Sequence, residues 1–177
     1  KGQGVEELLE GIHVYARCWE KDGEKEDLGA RVYKISRDEQ GNRLTHLKIL
    51  SGILKVIDTI SGKQGEEKVN QIRIYSGEKY EMVQEAGSGR ICAVTGLNYT
   101  YPGEGLGIEC DSEAPALEPV LSYKIELPEG CDVHKMLGNL RILEEEDPML
   151  KIVWNEELGE IHAKLMGAVQ IEILKSL

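Results

Sequence analysis

Residues 119–177 read PVLSYKIELPEGCDVHKMLGNLRILEEEDPMLKIVWNEELGEIHAKLMGAVQIEILKSL, and this stretch decides the fold. Val120–Leu127 has the composition of a strand. Asp132 is placed to cap a helix. Val133, Met136, Leu137, Leu140 and Leu143 follow at spacings of three and four, the apolar stripe of an amphipathic helix. Pro148 stops that helix. Leu150–Trp154 and Glu160–Met166 read as strands joined by a hairpin over 155–159, and Val169, Ile173 and Leu177 mark a second helix. The order β-α-β-β-α is a ferredoxin-like unit short of its last strand. The unit at 119–177 is therefore expected to be incomplete at its C-terminus. Its first strand is expected to keep an open edge, which invites pairing with another chain and self-association.

Working upstream, the pattern changes. From 28 to 112 it becomes short β segments: Ala30–Ser36, Leu44–Leu50, Ile53–Ile60, Val69–Tyr75, Glu81–Gln84 and Ile91–Leu97. A turn at 38–42 and a break at Ser51-Gly52 punctuate them. Strands of this number and spacing predict a small closed barrel. In the first of them, Arg31, Tyr33 and Ile35 alternate onto one face. Polar residues 17–27 and proline-flanked residues 113–118 read as linkers. In the opening segment, 1–16, Val5, Leu8, Leu9 and Ile12 fall at helical spacing, as in the tail helix of a domain that is absent. The fold class is thus multi-domain, β plus α+β: a small barrel followed by a truncated ferredoxin-like domain.

Composition sets bounds on function. The net charge is −11, which argues against generic electrostatic binding of nucleic acid. The charge is uneven, however. Residues 31–79 carry ten basic and six acidic side chains, and the remainder carries 11 basic and 26 acidic. That suits a protein touching RNA with one face. No apolar run approaches the roughly 18 residues of a membrane helix. Cys18, Cys92, Cys110 and Cys131 form no C-x-x-C pair, so plain thiols in a reducing cytoplasm are expected.

The chemistry-bearing motifs are sparse. No G-x-x-x-x-G-K-[S/T] loop is present, and Gly62-Lys63 lacks its hydroxyl neighbour, so this chain is not expected to bind or hydrolyse GTP. Gly87-Ser88-Gly89 leads into a strand, which fits a turn rather than a phosphate cradle. Glu144, Glu145, Glu146 and Asp147 cannot all share one helical face, so a solvated face fits better than a metal site. His162 alternates with Ile161 and Ala163 onto a solvent face, and His13, His46 and His134 stand equally alone. No catalytic, cofactor or metal residue is assigned. Arg31, Lys34, Arg37, Arg43, Lys48 and Lys55 lie on the first strands and their turn. They read either as ordinary surface charge or as phosphate contacts. Tyr33 and Tyr75 read as packing residues.

Two sets of residues carry a family resemblance. Leu140-x-x-Leu143-x-x-Glu146-Asp147-Pro148-x-Leu150-x-Ile152, with Gly159-Glu160-Ile161 and Met166-Gly167-Ala168-Val169-Gln170, resembles the third domain of elongation factor G and its relatives. Ser51-Gly52-x-Leu54-x-x-x-Asp58-x-Ile60, with Ala86-Gly87 and Ala93-Val94-x-Gly96-Leu97, resembles the translation-factor-type barrel, domain two of translational GTPases. Gly4-Val5-x-x-Leu8-Leu9-x-x-Ile12 is similar to the last helix of their GTP-binding domain. Gln170 stands where elongation factor G itself has His, and Ile57 where it usually has Gly before the barrel Asp. Both features resemble the tetracycline-resistance ribosomal-protection branch. The resemblance implies the middle of a ribosome-dependent GTPase. GTP and Mg²⁺ would be held by its missing domain, and Lys34, Arg37, Arg43, Lys48 and Lys55 would be candidate contacts to small-subunit rRNA and protein. An elongation factor G paralogue acting in translocation, or a free-standing protein- or ligand-binding module, are the alternatives.

Overall fold

The computed structural model describes residues 3–15, 27–62, 65–113 and 118–176. Most of the two expected linkers, Cys18 and Lys63 lie outside the described residues. Helix α1 (Val5–Tyr15) buries none of its residues, and its apolar stripe of Val5, Leu8, Leu9 and Ile12 is exposed. Among the described residues no helix is long and apolar enough to cross a membrane.

The β-rich unit contains β1 (Gly29–Arg37), β2 (Arg43–Ser51), β3 (Ile53–Lys55), β4 (Thr59–Gly62), β5 (Gly65–Lys68), β6 (Gln71–Ser76), β7 (Lys79–Val83), β8 (Glu85–Gly87), β9 (Ile91–Thr95) and β10 (Gly105–Gly107). A six-stranded antiparallel sheet runs β10-β1-β2-β9-β6-β7, and β3-β8 and β4-β5 form two separate ribbons. The expected closed barrel is therefore corrected: the sheet keeps two ends, β10 and β7. Strand β10 spans only three residues, and β7 is largely exposed, with no inward row to continue a ladder. The ribbons cover the core instead. Val32, Leu47, Ile49, Leu54, Ile72, Leu97 and Leu106 are buried there. Each such side chain contributes about 1.5–3 kcal/mol relative to exposure.

Three further differences have local causes. The expected strand 53–60 is broken, because Val56 and Ile57 leave the ladder to bond Gln84 and Val69 while the Asp58 carboxylate accepts from the Lys55 N–H at 2.8 Å. Strands β5, β8 and β10 are short and rich in Gly or Glu, so no apolar alternation announced them. In β1 a bulge falls between Val32 and Lys34. It shifts the alternation, so Tyr33 and Lys34 both face outward while Ile35 turns into the core. The expected common face of Tyr33 and Ile35 does not form.

Ile57 has φ +80, and it alone among the described non-glycine residues has positive φ. For a β-branched residue this backbone costs about 1–2 kcal/mol. Ile57 is also exposed, so its side chain recovers little by burial. Ile57→Gly is expected to raise the unfolding free energy by about 1 kcal/mol in urea titration; an unchanged or lower midpoint would remove the strain.

The second unit contains β11 (Leu121–Ile125), α2 (Val133–Glu146), β12 (Lys151–Asn155), β13 (Glu160–Leu165) and α3 (Ala168–Ser176), with an antiparallel sheet ordered β11-β13-β12. Asp132 caps α2, accepting from the His134 and Lys135 N–H groups at 2.9 and 3.2 Å. Leu150, Ile152, Ile161, Ala163 and Leu165 form the core, with Leu137, Leu140 and Leu143 of α2 packed against it. Strand β11 lies at the edge of this sheet.

Candidate functional site

Two places gather the functional side chains. The first is the junction between the β-rich unit and α2. Arg43 starts β2 with its side chain turned inward and only 9% exposed. Its guanidinium donates to the Leu97 carbonyl at 2.7 Å, to Thr100 Oγ1 at 3.0 Å and to the Thr100 carbonyl. Its Nε donates to Glu145 Oε2 at 3.3 Å. Arg37 donates to the same oxygen at 3.2 Å and to the Gly41 carbonyl at 3.3 Å. One carboxylate on α2 thus bridges the paired Arg37 and Arg43 where β1 and β2 meet at their turn.

The acidic run therefore does more than face solvent. Glu145 takes the arginines, Glu144 accepts from the Ile152 N–H at 3.1 Å, and Asp147 turns the chain after α2. The Asp147 side chain accepts from the Met149 N–H at 2.9 Å and from Gln170 Nε2 at 2.8 Å, and Gln170 Oε1 accepts from the Met166 N–H. Glu146 ends α2 and Pro148 follows its cap. Gln170 is therefore a strut across the two helix ends. Gln170→Ala should cost about 1–2 kcal/mol, read by urea unfolding, because both the bond to Asp147 and the bond to Met166 are lost. A change under about 0.3 kcal/mol would show that water replaces them.

The glycines of the sequence pattern differ in what they do. Gly52 has φ +69, and a Cβ there would lie 2.7 Å from the Asp27 carbonyl oxygen. Gly96 has φ +102 and faces Lys68 and Asn70. Nothing in the structure explains Gly167, whose Cβ position is open.

The second place is the outer face of the six-stranded sheet. Tyr33, His46, Tyr75 and Tyr80 form a row across it, with ring centroids 6.0, 6.1 and 5.3 Å apart in that order. The row can form because the bulge turns Tyr33 outward and because Ala93, between His46 and Arg73 in register, is small. Arg73 is buried beneath Tyr80, its guanidinium carbon 4.7 Å from the ring centroid, and pairs with Asp38 at 3.0 Å. Between the β1–β2 turn and the β6–β7 turn lies a groove of ≈ 370 Å³, lined by Arg37, Asp38, His46, Arg73, Tyr75 and Tyr80 among others. Burial, and after it the charge of Lys34, holds the His46 ring below its usual pKa. Ser36 Oγ lies 2.7 Å from His46 Nε2.

Tyr33 and Tyr75, read from the sequence as packing residues, pack within this row and keep partly exposed rings. The signal was the bulge, which no period-two reading of β1 contains. Of the remaining basic candidates, Lys34 and Lys55 are exposed and Lys48 is half-buried on β2, while Arg31 pairs with Glu109 at 3.3 Å. The structure brings Arg37 and Arg43 together on Glu145.

The family model for elongation factor G domain 2 matches residues 27–107. Gly52, Asp58 and Gly96 all lie within this domain 2, at a close backbone approach, a turn and a second close approach. Similarity also extends beyond it. "Elongation factor G 2" of Syntrophus aciditrophicus is 34% identical over 159 residues, 85% of this chain and 23% of that protein. "Tetracycline resistance protein TetP" of Clostridium perfringens is 33% identical over 181 residues, 99% of this chain and 28% of that protein. A crystal structure of a Thermus thermophilus protein superposes with a TM-score of 0.69 at 25% identity, covering 98% of this chain and 27% of that one. The chain spans about a quarter of the length of the curated relatives it matches.

Proposed function

We propose that this chain is the ribosome-binding middle part of a longer translational GTPase, of the branch that releases tetracycline from the ribosome. The observation that carries the reading is the similarity to a tetracycline resistance protein through 99% of the chain, across both units rather than domain 2 alone. In this reading domain 2 lies on small-subunit rRNA and protein through Lys34, Lys48 and Lys55. Arg37 and Arg43 instead hold α2 to domain 2, so a movement of one unit passes to the other. Residues 119–177 act as a ferredoxin-like relay. The exposed edge of β11 is a surface for strand pairing, by self-association or by further chain. GTP and Mg²⁺ are held outside this sequence, which contains no phosphate loop, and the chain supplies binding surface rather than catalysis. The setting is the cytoplasm.

The 34% identity to an elongation factor G favours a second reading, a paralogue that acts in translocation. Translation driven by the full-length protein, measured in the presence of tetracycline, separates the two. Rescue is expected; loss of synthesis equal to that without the protein leaves the translocation reading.

A further inference from the structure

We infer that the outer face of domain 2 binds unpaired RNA nucleotides, with bases stacked on Tyr75 and Tyr80 and the backbone held by Lys34. The inference rests on the ribosome reading and goes beyond it, by naming the form of RNA and the side chains that take it.

The observations are geometric. Rings on a folded surface normally bury their faces, yet Tyr33, Tyr75 and Tyr80 are 49, 37 and 48% exposed while aligned in one row. Cross-strand pairing holds the row: Tyr75 lies opposite Tyr80, and His46 opposite Lys34. The rings are therefore set before any ligand arrives, which lowers the ordering cost of binding. Arg73, pinned by Asp38 and Gln71, underlies Tyr80 and fixes it from below. The groove beside the row, ≈ 370 Å³, falls within the range that encloses a ligand of nucleotide size.

Charge and ring chemistry select the occupant. Three acids line the groove, Asp38, Glu39 and Glu78, of which Asp38 is paired with Arg73, and Lys34 is exposed beside His46 on the row itself. His46, kept below its usual pKa, presents a neutral ring at pH 7. Aromatic faces bordered by cations bind bases by stacking and phosphates by charge, without needing a particular sequence. A duplex hides its base faces within its own stack, so this surface selects single-stranded or looped RNA. A peptide that used the same rings would show no dependence on base pairing.

The test uses the full chain and fluorescein-labelled decauridine, with a self-complementary RNA duplex of equal length as comparator. Anisotropy at low salt is expected to show the single strand binding at least about fivefold more tightly than the duplex. Tyr75→Ala with Tyr80→Ala should weaken it by about tenfold or more, whereas Tyr75→Phe with Tyr80→Phe should stay within about twofold. Circular dichroism confirms that the variants fold, and the phenylalanine pair keeps the comparison valid should the alanine pair not fold. Equal affinity for strand and duplex overturns the inference, as does an alanine pair that binds like the wild type. Sedimentation with small ribosomal subunits separates the two levels of the proposal. A chain that sediments but ignores decauridine removes the stacking surface alone; a chain that does neither removes the ribosome reading as well.

Discussion

Arg43→Ala is expected to lower the unfolding free energy by about 2–4 kcal/mol, the largest loss among the charged residues discussed. The reason is not chiefly the ion pair. Glu145 is 44% exposed, so its attraction to Arg43 is screened and is worth roughly 0–1 kcal/mol. The larger part comes from the Leu97 and Thr100 carbonyls and Thr100 Oγ1, which the guanidinium satisfies from a site closed to solvent. Without it the buried Thr100 carbonyl loses the guanidinium, and the Leu97 carbonyl and Thr100 Oγ1 keep only Thr45 Oγ1, at 3.5 and 2.9 Å. Lysine cannot replace the planar fork, so Arg43→Lys should recover little. Glu145→Gln, in contrast, should cost about 0.5 kcal/mol or less, since Arg43 keeps its inner partners. Urea unfolding of the three variants checks this. Equal losses for Glu145→Gln and Arg43→Ala would put the energy in the ion pair and overturn the account.

The second large effect is expected at Gly96. Its φ of +102 lies where L side chains are rarely found, and a Cβ would be driven onto the Lys68 carbonyl oxygen and to 2.9 Å from Asn70 Nδ2. The Lys68 carbonyl is not free to move, because the chain that follows it is held by fully buried Val69 and by the Asn70 N–H donating to the Thr95 carbonyl at 2.8 Å. Backbone strain of about 1–3 kcal/mol and crowding of a similar size act together, so Gly96→Ala should cost about 3 kcal/mol or leave the domain unfolded. Gly167→Ala, at an open position without positive φ, should stay within about 0.5 kcal/mol. Thermal unfolding of both variants is the check. Similar melting temperatures would mean that the two glycines are equivalent and that the geometry at Gly96 relaxes.

How much of this was legible in the sequence follows from which interactions are local. The second unit was readable because its signals are periodic: Asp132 caps, Leu137, Leu140 and Leu143 stripe one face, and Pro148 follows the end of α2. The β-rich unit was readable in its long strands and not in the short strands and ribbons that complete it. Strands β8 and β10 are held by pairing partners distant in sequence, β5 pairs with its neighbour β4, and the residues of all three carry no apolar pattern. The site was harder still. The inward turn of Arg43 depends on carbonyls 54 and 57 residues away, and the partnership with Glu145 spans 102. The aromatic row exists because of one bulge at Tyr33 and one small residue, Ala93, features that become visible only once the strands are in register. Gln170 was recognised as a position where relatives differ. Its bond to Asp147, which joins two of the marked positions, could not be read from spacing.

The central claim is that this chain carries a ribosome-binding surface, and sedimentation of the purified chain with small ribosomal subunits over a salt series tests it most directly. The account predicts co-sedimentation at low salt, an affinity that falls steadily as salt rises, and a loss of about fivefold or more in the Lys34→Glu, Lys55→Glu pair. A chain that stays in the supernatant at about 50 mM salt, or one whose binding ignores both salt and those two lysines, would contradict it.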